Sequence, residues 1–479
     1  MNKRHSIYAI IACAASIFAA GCNDDDDIDD VMIPDASGNA VMVNSFNIQP
    51  DDSVLAALDS VFFSIDLDRA VIFNADSLPV GTRVNRLRLN IGLPAVKTAE
   101  ITMPDDKGAD TVVNYLTNPN DSINFSKGSV RLRLESTNGL YERNYTIFVN
   151  VHKVNPDSMS WSTLAPAGLP TSLSNVDAQH TVEYQGKTLC FTRSGSDYCR
   201  ATAINAITGQ WDTETVALPA GARMATLTAG TSSLFICDSS DRLFVSSDAG
   251  STWTATGTSM THIYGTLGNK VIGVRRDASS YTHVTYPATT EATAEAACPV
   301  SGTSPALVYT SDWSSEPMMI VTGGITADGS VTGQTWAYDG TQWAAISVAS
   351  IPASDSPVVI PYYAFKTSTS WRVTKSSVLL AFGGIAADGT PQRTVYVSKD
   401  FGVHWEKASQ LMQMPASAAV GKQAQAILID RTISSRAVKP ITEWQCPYIY
   451  VFGGCSSNGV LDNRIMRGVI NRLTFKPLQ

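Results

Sequence analysis

Chemistry needs side chains that ligate, transfer protons or stack, and in this chain of 479 residues each type is spaced tellingly. Past the N-terminal segment the histidines are His152, His180, His262, His283 and His404, without an HxH or HExxH pair, so neither a metal site nor a cofactor is expected. A carboxylate pair for glycoside hydrolysis can always be assembled from 43 acidic residues, so that count argues neither way. Tryptophan is more selective. Trp313, Trp371 and Trp444 each precede a Gly-Gly pair by 9 to 12 residues, which puts them at equivalent places in three successive segments. Clustered on one face, they would form a stacking platform for sugar rings or a partner protein. Local packing at the ends of sheets is the competing reading.

Of the eight cysteines, Cys13 and Cys22 lie in the N-terminal segment. In CFTRSGSDYC a two-residue turn at Ser194-Gly195 would set Cys190 directly opposite Cys199 and allow a cross-strand bridge. Cys446 and Cys455 differ: nine extended residues would hold them about 30 Å apart, too far to pair if that segment is one strand.

The elements that must position these residues are strands. Apolar runs ending in Gly323-Gly324, Gly383-Gly384 and Gly453-Gly454 are followed by Asp328-Gly329, Asp388-Gly389 and Asn458-Gly459, the pattern of a strand, a tight turn and a second strand. SSDAGSTW, ending at Trp253, and SKDFGVHW, ending at Trp405, form a second repeated turn, with weaker copies ending at Trp211 and Trp343. An Asp caps such a turn, a Gly supplies its left-handed residue, and the Trp is expected to be buried against the next repeat. The intervals between tryptophans 161, 211, 253, 343 and 405 are 50, 42, 90 and 62 residues, so the interval of 90 hides one repeat, residues 262–297. No outer strand follows the last repeat. SMSWSTL, containing Trp161, is expected to supply it and close the ring, leaving no open sheet edge.

YVFGGCSSNGVLDNRI resembles a Kelch repeat, and the two SxDxGxxW turns resemble the Asp-boxes of sialidases and related propellers. The resemblance implies an all-β fold: an N-terminal β-sandwich followed by a six-bladed β-propeller closed by an N-terminal strand. In that family the Asp-box is structural. No arginine motif of the sialidase kind is visible, and the Cys-Tyr pair and histidine ligands of a Kelch-type copper-radical oxidase cannot be placed.

Four divisions follow. Residues 1–21 read as a secretory signal, with Lys3 and Arg4 and an apolar run from Ile7 to Ala20; Ala19-Ala20-Gly21-Cys22 resembles a bacterial lipobox with Ala19 where Leu is usual, which implies a lipoprotein signal peptide with Cys22 as the lipidation site and leaves ordinary cleavage open. Residues 22–38 form an acidic tether. It resembles the signal that sends lipoproteins of the Bacteroidota to the outer face of the outer membrane. Residues 39–154, with alternating strands such as SVRLRLES, resemble an immunoglobulin-like or cadherin-like sandwich. Residues 155–479 form the Kelch/Asp-box-like propeller, and the order of parts is similar to that of two-domain lipoproteins of the Bacteroidota. The net charge of −8 becomes more negative once Lys3 and Arg4 are removed, which disfavours nucleic acid as a partner. The sequence is thus read as a membrane-anchored, cell-surface binding module for a glycan or an envelope protein. A carbohydrate-active enzyme with its site in the propeller funnel is the alternative.

Overall fold

The computed structural model describes residues 40–74, 77–105, 108–153, 155, 158–163, 168–287, 290–310, 316–367, 373–430, 432–434, 443–445 and 447–471. Two compact units separate, Met1–Asn74 with Arg83–Val149 and Ala75–Thr82 with Asn150–Gln479. Residues 1–39, on which the expected signal peptide, Cys22 and the expected acidic tether fall, lie outside the described residues.

In the first unit period-two patterning dictates the fold. Val130–Ser136 buries Val130, Leu132, Leu134 and Ser136 and turns Arg131, Arg133 and Glu135 outward. It sits inside a six-stranded sheet ordered Ser64–Asp66, Val71–Phe73, Glu142–Phe148, Val130–Ser136, Val96–Pro104, Asp110–Asn114, in which Val71–Phe73 and Glu142–Phe148 run parallel. A two-stranded ladder, Ser45–Ile48 with Leu89–Gly92, contributes the buried Phe46, Ile48, Leu89 and Ile91. On the outward face Arg133 bridges Glu100 and Glu142 across three neighbouring strands.

The second unit is a succession of antiparallel sheets. The first is Ala178–Tyr184, Lys187–Ser194, Asp197–Asn205, Gln210–Val216; the second Thr228–Ala229, Leu234–Cys237, Arg242–Ser246, Thr254–Ser259. The third, His262–Leu267, Lys270–Asp277, Ser280–Tyr286, Glu291–Thr293, occupies the stretch without a tryptophan marker. The fourth sets Pro299–Ser301 and Leu307–Tyr309 beside Met318–Thr326, then Val331–Tyr338 and Trp343–Ala345. The fifth is Val358–Thr367, Val373–Phe382, Tyr396–Ser398, Glu406–Lys407. The sixth takes Gln425–Ile429, Tyr448–Phe452 and Ile465–Asn471 and completes itself with Ser158–Thr163, whose Trp161 lies opposite Gly468.

The marker tryptophans explain how neighbouring sheets adhere, with one correction: each rests on the preceding sheet, not the next. Trp405 donates its indole N–H to Thr335 Oγ1 at 2.9 Å. Trp343 packs on Tyr264 at 4.7 Å between ring centroids, and Trp161 on Phe382 at 5.8 Å. Trp253 joins the core of the first sheet. In the third sheet, which lacks the marker, Tyr286 performs the same contact on Phe235 of the second. Trp211 of the first sheet rests on Phe452 of the sixth at 5.9 Å, so the chain of contacts returns to its start.

The glycine pairs have the complementary role. Gly323 and Gly453 have φ of 70° and 59°, and a Cβ on either would fall 2.7 Å from Ser354 O or from the Gln179 side chain. The next sheet therefore presses directly on the backbone there.

A candidate ligand-contact face

The two faces of this ring of sheets differ in which connections they carry. On the face of the glycine pairs, polar groups bind the sheets to one another. His262 Nε2 meets Thr303 Oγ1 at 3.0 Å, Lys422 Nζ lies 3.6 Å from Asp355 Oδ2, and Gln179 Nε2 donates to Gln425 Oε1 at 2.8 Å. Each pair spans two neighbouring sheets, so its function is adhesion.

The opposite face carries the connections between first and second strands, to which Trp313, Trp371 and Trp444 belong. In the fifth sheet these strands form a ten-residue hairpin in register from Val358↔Phe382 to Thr367↔Val373, whereas the third strand pairs only with Leu379–Ala381. Six pairs thus run past the sheet, roughly 20 Å at the rise of an extended strand. In the sixth sheet a further ladder, Thr432–Ser434 with Glu443–Gln445, continues the same way and sets Trp444 opposite Ile433. In the fourth sheet Tyr309 pairs with Met318 at the corresponding end. Trp313 and Trp371 lie outside the described residues, and of Trp444 only the backbone is described.

The bases of these connections are joined by aromatic side chains. Tyr362 donates its hydroxyl to Pro447 O at 3.1 Å and Tyr363 to Asp430 Oδ1 at 3.0 Å, tying the fifth sheet's hairpin to the sixth. Burial, reinforced by the Asp430 carboxylate, raises the Tyr363 phenol above its ordinary pKa, so it remains a donor. Tyr309 stacks on Phe401 with centroids 4.2 Å apart and planes 3° from parallel. Phe401 has a φ of 57°, in the left-handed region, at the turn position that Ala249 fills with a φ of 58° in the other full copy. A bulky residue there costs on the order of 1–2 kcal/mol, partly offset by about 0.5–1.5 kcal/mol from ring pairing. Aromatic rings and the exposed carboxylate of Asp430 are groups that hydroxyl-rich or peptide ligands engage.

The turns themselves are occupied. Ser398 Oγ donates to Asp400 Oδ1 and accepts from Gly402 N, and Asp400 also takes His404 N and Nδ1. Asp248 does the same with Ser246, Ser251 and Thr252, and the Thr252 bonds hold its carboxyl down at about 2. Both carboxylates are committed to turn geometry.

Tyr309, Tyr363, Phe401 and Asp430 were not singled out by the sequence. Only Phe401 left a trace there, as the bulky residue in SKDFGVHW where SSDAGSTW has Ala249. The cysteine expectation is corrected. The hairpin turns at Gly195-Ser196, Ser194 pairs with Asp197, and Cys190 therefore faces Ala201 while Cys199 faces Thr192. Both are buried free thiols, and burial pushes Cys190 up to about 12.

Burial also determines the histidines. His283 is buried, His180 and His262 are half-buried, and the surrounding sheets desolvate their rings. Each is lowered to about 4 by that desolvation. A base whose folded pKa lies below its unfolded value of about 6.5 binds protons preferentially when unfolded. The stability it confers is complete above pH 6.5 and is lost as pH falls through 4, at about 1.4 kcal/mol per pH unit for each histidine. The melting temperature is expected to drop across that window and His283→Gln to lessen the slope; a flat profile from pH 6.5 to 4 would contradict the desolvated, neutral rings.

The family matches agree with the fold. Residues 155–478 match the family described as DUF6242 beta propeller domain, and residues 39–149 match the domain of unknown function (DUF6242) N-terminal domain. No curated protein matches the chain. Similar solved structures include YjhT, at 10% identity and a TM-score of 0.37, covering 62% of this chain and 99% of that one. The SapL1 lectin, solved with alpha methyl fucoside, shows 10% identity and a TM-score of 0.34 over 58% of this chain and 93% of its own. An auxiliary nutrient binding protein from Bacteroides thetaiotaomicron VPI-5482 shows 10% identity and a TM-score of 0.37 over 82% and 98%. The chain belongs to the DUF6242 family, an all-β protein with a β-propeller domain.

Proposed function

We propose that this DUF6242 protein is a surface-anchored, non-catalytic binding protein whose propeller, of six blades closed by Ser158–Thr163, meets a glycan or an envelope protein through the hairpin face. The observation that carries the reading is the Val358–Thr367 and Val373–Phe382 hairpin, which outruns its sheet and is braced to the sixth by Tyr362 and Tyr363. A braced projection of this kind costs little to order on binding. Trp371 falls between its two strands in the sequence, and Trp313 and Trp444 fall in the neighbouring connections, so stacking would be added where the projection meets ligand. Residues 39–154, as an immunoglobulin-like sandwich, would act as the spacer.

The test is a glycan array together with a hydrolysis screen, using the soluble chain from Asp35 onward. Retention of a glycan or of one envelope protein without release of cleaved product is expected; turnover of a glycan would instead establish the carbohydrate-active enzyme.

Anchoring completes the reading. Cys22 would carry the lipid that holds the protein in the outer membrane, and the aspartates after it would direct it to the cell exterior. Cys22→Ala is expected to release the protein from membranes, and unchanged membrane partitioning without an acyl label would refute the anchor. Replacing Asp24 to Asp27 with alanine should retain lipidation and reduce digestion by protease added to whole cells; equal digestion refutes the export role.

A further inference from the structure

The first unit contains a cavity of about 250 Å³ whose lining includes Gln49, Asp51, Leu58, Arg86, Leu87 and Arg88. Its composition follows from the strand that builds it. Leu87 exchanges backbone hydrogen bonds with Ile123 and points into the core, so Arg86 and Arg88, one residue to either side, project away from that core. Leu58, 1% exposed, supplies an apolar wall. Gln49 joins the strand from the other side, its N–H donating to Arg88 O.

The polar groups of this cavity are unevenly satisfied. Arg131 and Arg133 of the same unit are each paired with carboxylates. Among the described residues, by contrast, neither Arg86 nor Arg88 forms an ion pair or side-chain hydrogen bond, and Arg88 is only attracted at a distance to Asp51. Asp51 is itself engaged by Ser53, whose N–H and hydroxyl both donate to Oδ1. Gln49 spends its amide N–H groups on Leu89 O and Asn120 Oδ1, leaving its oxygen as an acceptor. The cavity lining therefore brings two arginines together with one aspartate and a glutamine.

We propose that this cavity binds a sugar acid of monosaccharide size, its carboxylate taken by Arg86 and Arg88 and its hydroxyls by the Gln49 oxygen and the Asp51 carboxylate. The guanidinium fork matches a carboxylate in two parallel hydrogen bonds, which a neutral sugar cannot return. The volume sets the size, since drug-sized ligands occupy pockets of roughly 300 to 1,000 Å³. Both arginines are exposed, so the attraction is screened and binding weakens as salt rises.

The site lies within the N-terminal unit and does not rest on the propeller reading. It is tested by titrating the soluble chain with glucuronate, glucose and inorganic phosphate, watching the amide resonances of residues 49, 51–58 and 86–88. Glucuronate is expected to bind at millimolar concentration or below, with glucose and phosphate at least tenfold weaker. Arg86→Gln and Arg88→Gln should each weaken glucuronate at least tenfold without moving the melting temperature. Glucuronate and glucose binding alike, phosphate binding as tightly as glucuronate, no response to glucuronate, or an unaltered response in the Arg86→Gln/Arg88→Gln double variant would overturn the proposal.

Discussion

A chain that begins at Ala165 will lose its cooperative unfolding transition and aggregate, whereas one that begins at Asn155 will fold. The ten residues between them include Ser158–Thr163, the outer strand of the sixth sheet, paired with Met466–Asn471 along its whole length. Met159, 7% exposed, packs among Met466, Ile470 and Tyr362, and Trp161 lies against Phe382 with Gly468 beneath it. A Cβ at Gly468 would come within 2.9 Å of the indole, so the glycine is there to admit the ring. Losing a core methionine and a tryptophan removes about 2–5 and 3–5 kcal/mol, comparable with the roughly 5–15 kcal/mol that stabilise a domain. It also bares Ile465–Asn471 as an unpaired edge. Denaturant unfolding followed by fluorescence and circular dichroism reads the difference. Identical, coincident transitions for the two chains would show that the strand does not close the ring.

The second large effect is expected at Trp405. Trp405→Ala should cost about 3–5 kcal/mol, as a cavity between the fourth and fifth sheets replaces a buried indole. Trp405 is 5% exposed and packs with Ile320, Leu379 and Ala381, and its indole N–H donates to Thr335 Oγ1. Gly402 of the same turn presses on Thr335, where a Cβ would approach to 2.8 Å. Trp405→Phe separates the contributions: it keeps most of the apolar contact and forfeits the hydrogen bond, worth roughly 0.5–1.5 kcal/mol. If Trp405→Ala lowered stability by less than 1 kcal/mol, the turn would be surface decoration and not the clasp between sheets.

How much of this could be read beforehand depends on the range of the interaction. The glycine pairs and marker tryptophans were legible because the same local demand recurs: a left-handed backbone under the next sheet at Gly323 and Gly453, an indole against the preceding sheet at Trp343 and Trp405. The direction of that second contact was not legible, since a turn motif does not say which neighbour its side chain meets. The Cys190 and Cys199 pairing failed on one residue. Moving the turn from Ser194-Gly195 to Gly195-Ser196 changes the partner of every residue on the strand by two, which keeps the face and alters the opposite number. The face built by Tyr309, Phe401, Tyr363 and Asp430 could not be foreseen, because Tyr363 and Asp430 are 67 residues apart and meet only when the fifth and sixth sheets pack. The same holds for Arg86 and Arg88, whose lack of an ion pair among the described residues becomes visible only beside the paired Arg131 and Arg133.

The hairpin face is tested most directly by measuring ligand retention and melting temperature together on Trp313→Ala, Trp371→Ala and Trp444→Ala, using whichever glycan or envelope protein the array identifies. Stacking groups at the tips of the connections give up binding on truncation while leaving the core intact, so each variant should keep its melting temperature and lose ligand at least tenfold. Truncation of buried packing residues leaves cavities instead. Melting temperatures that fall by many degrees in all three variants, with retention unchanged after correction for the unfolded fraction, would contradict the account and move the search to the loops after Gly324, Gly384 and Gly454.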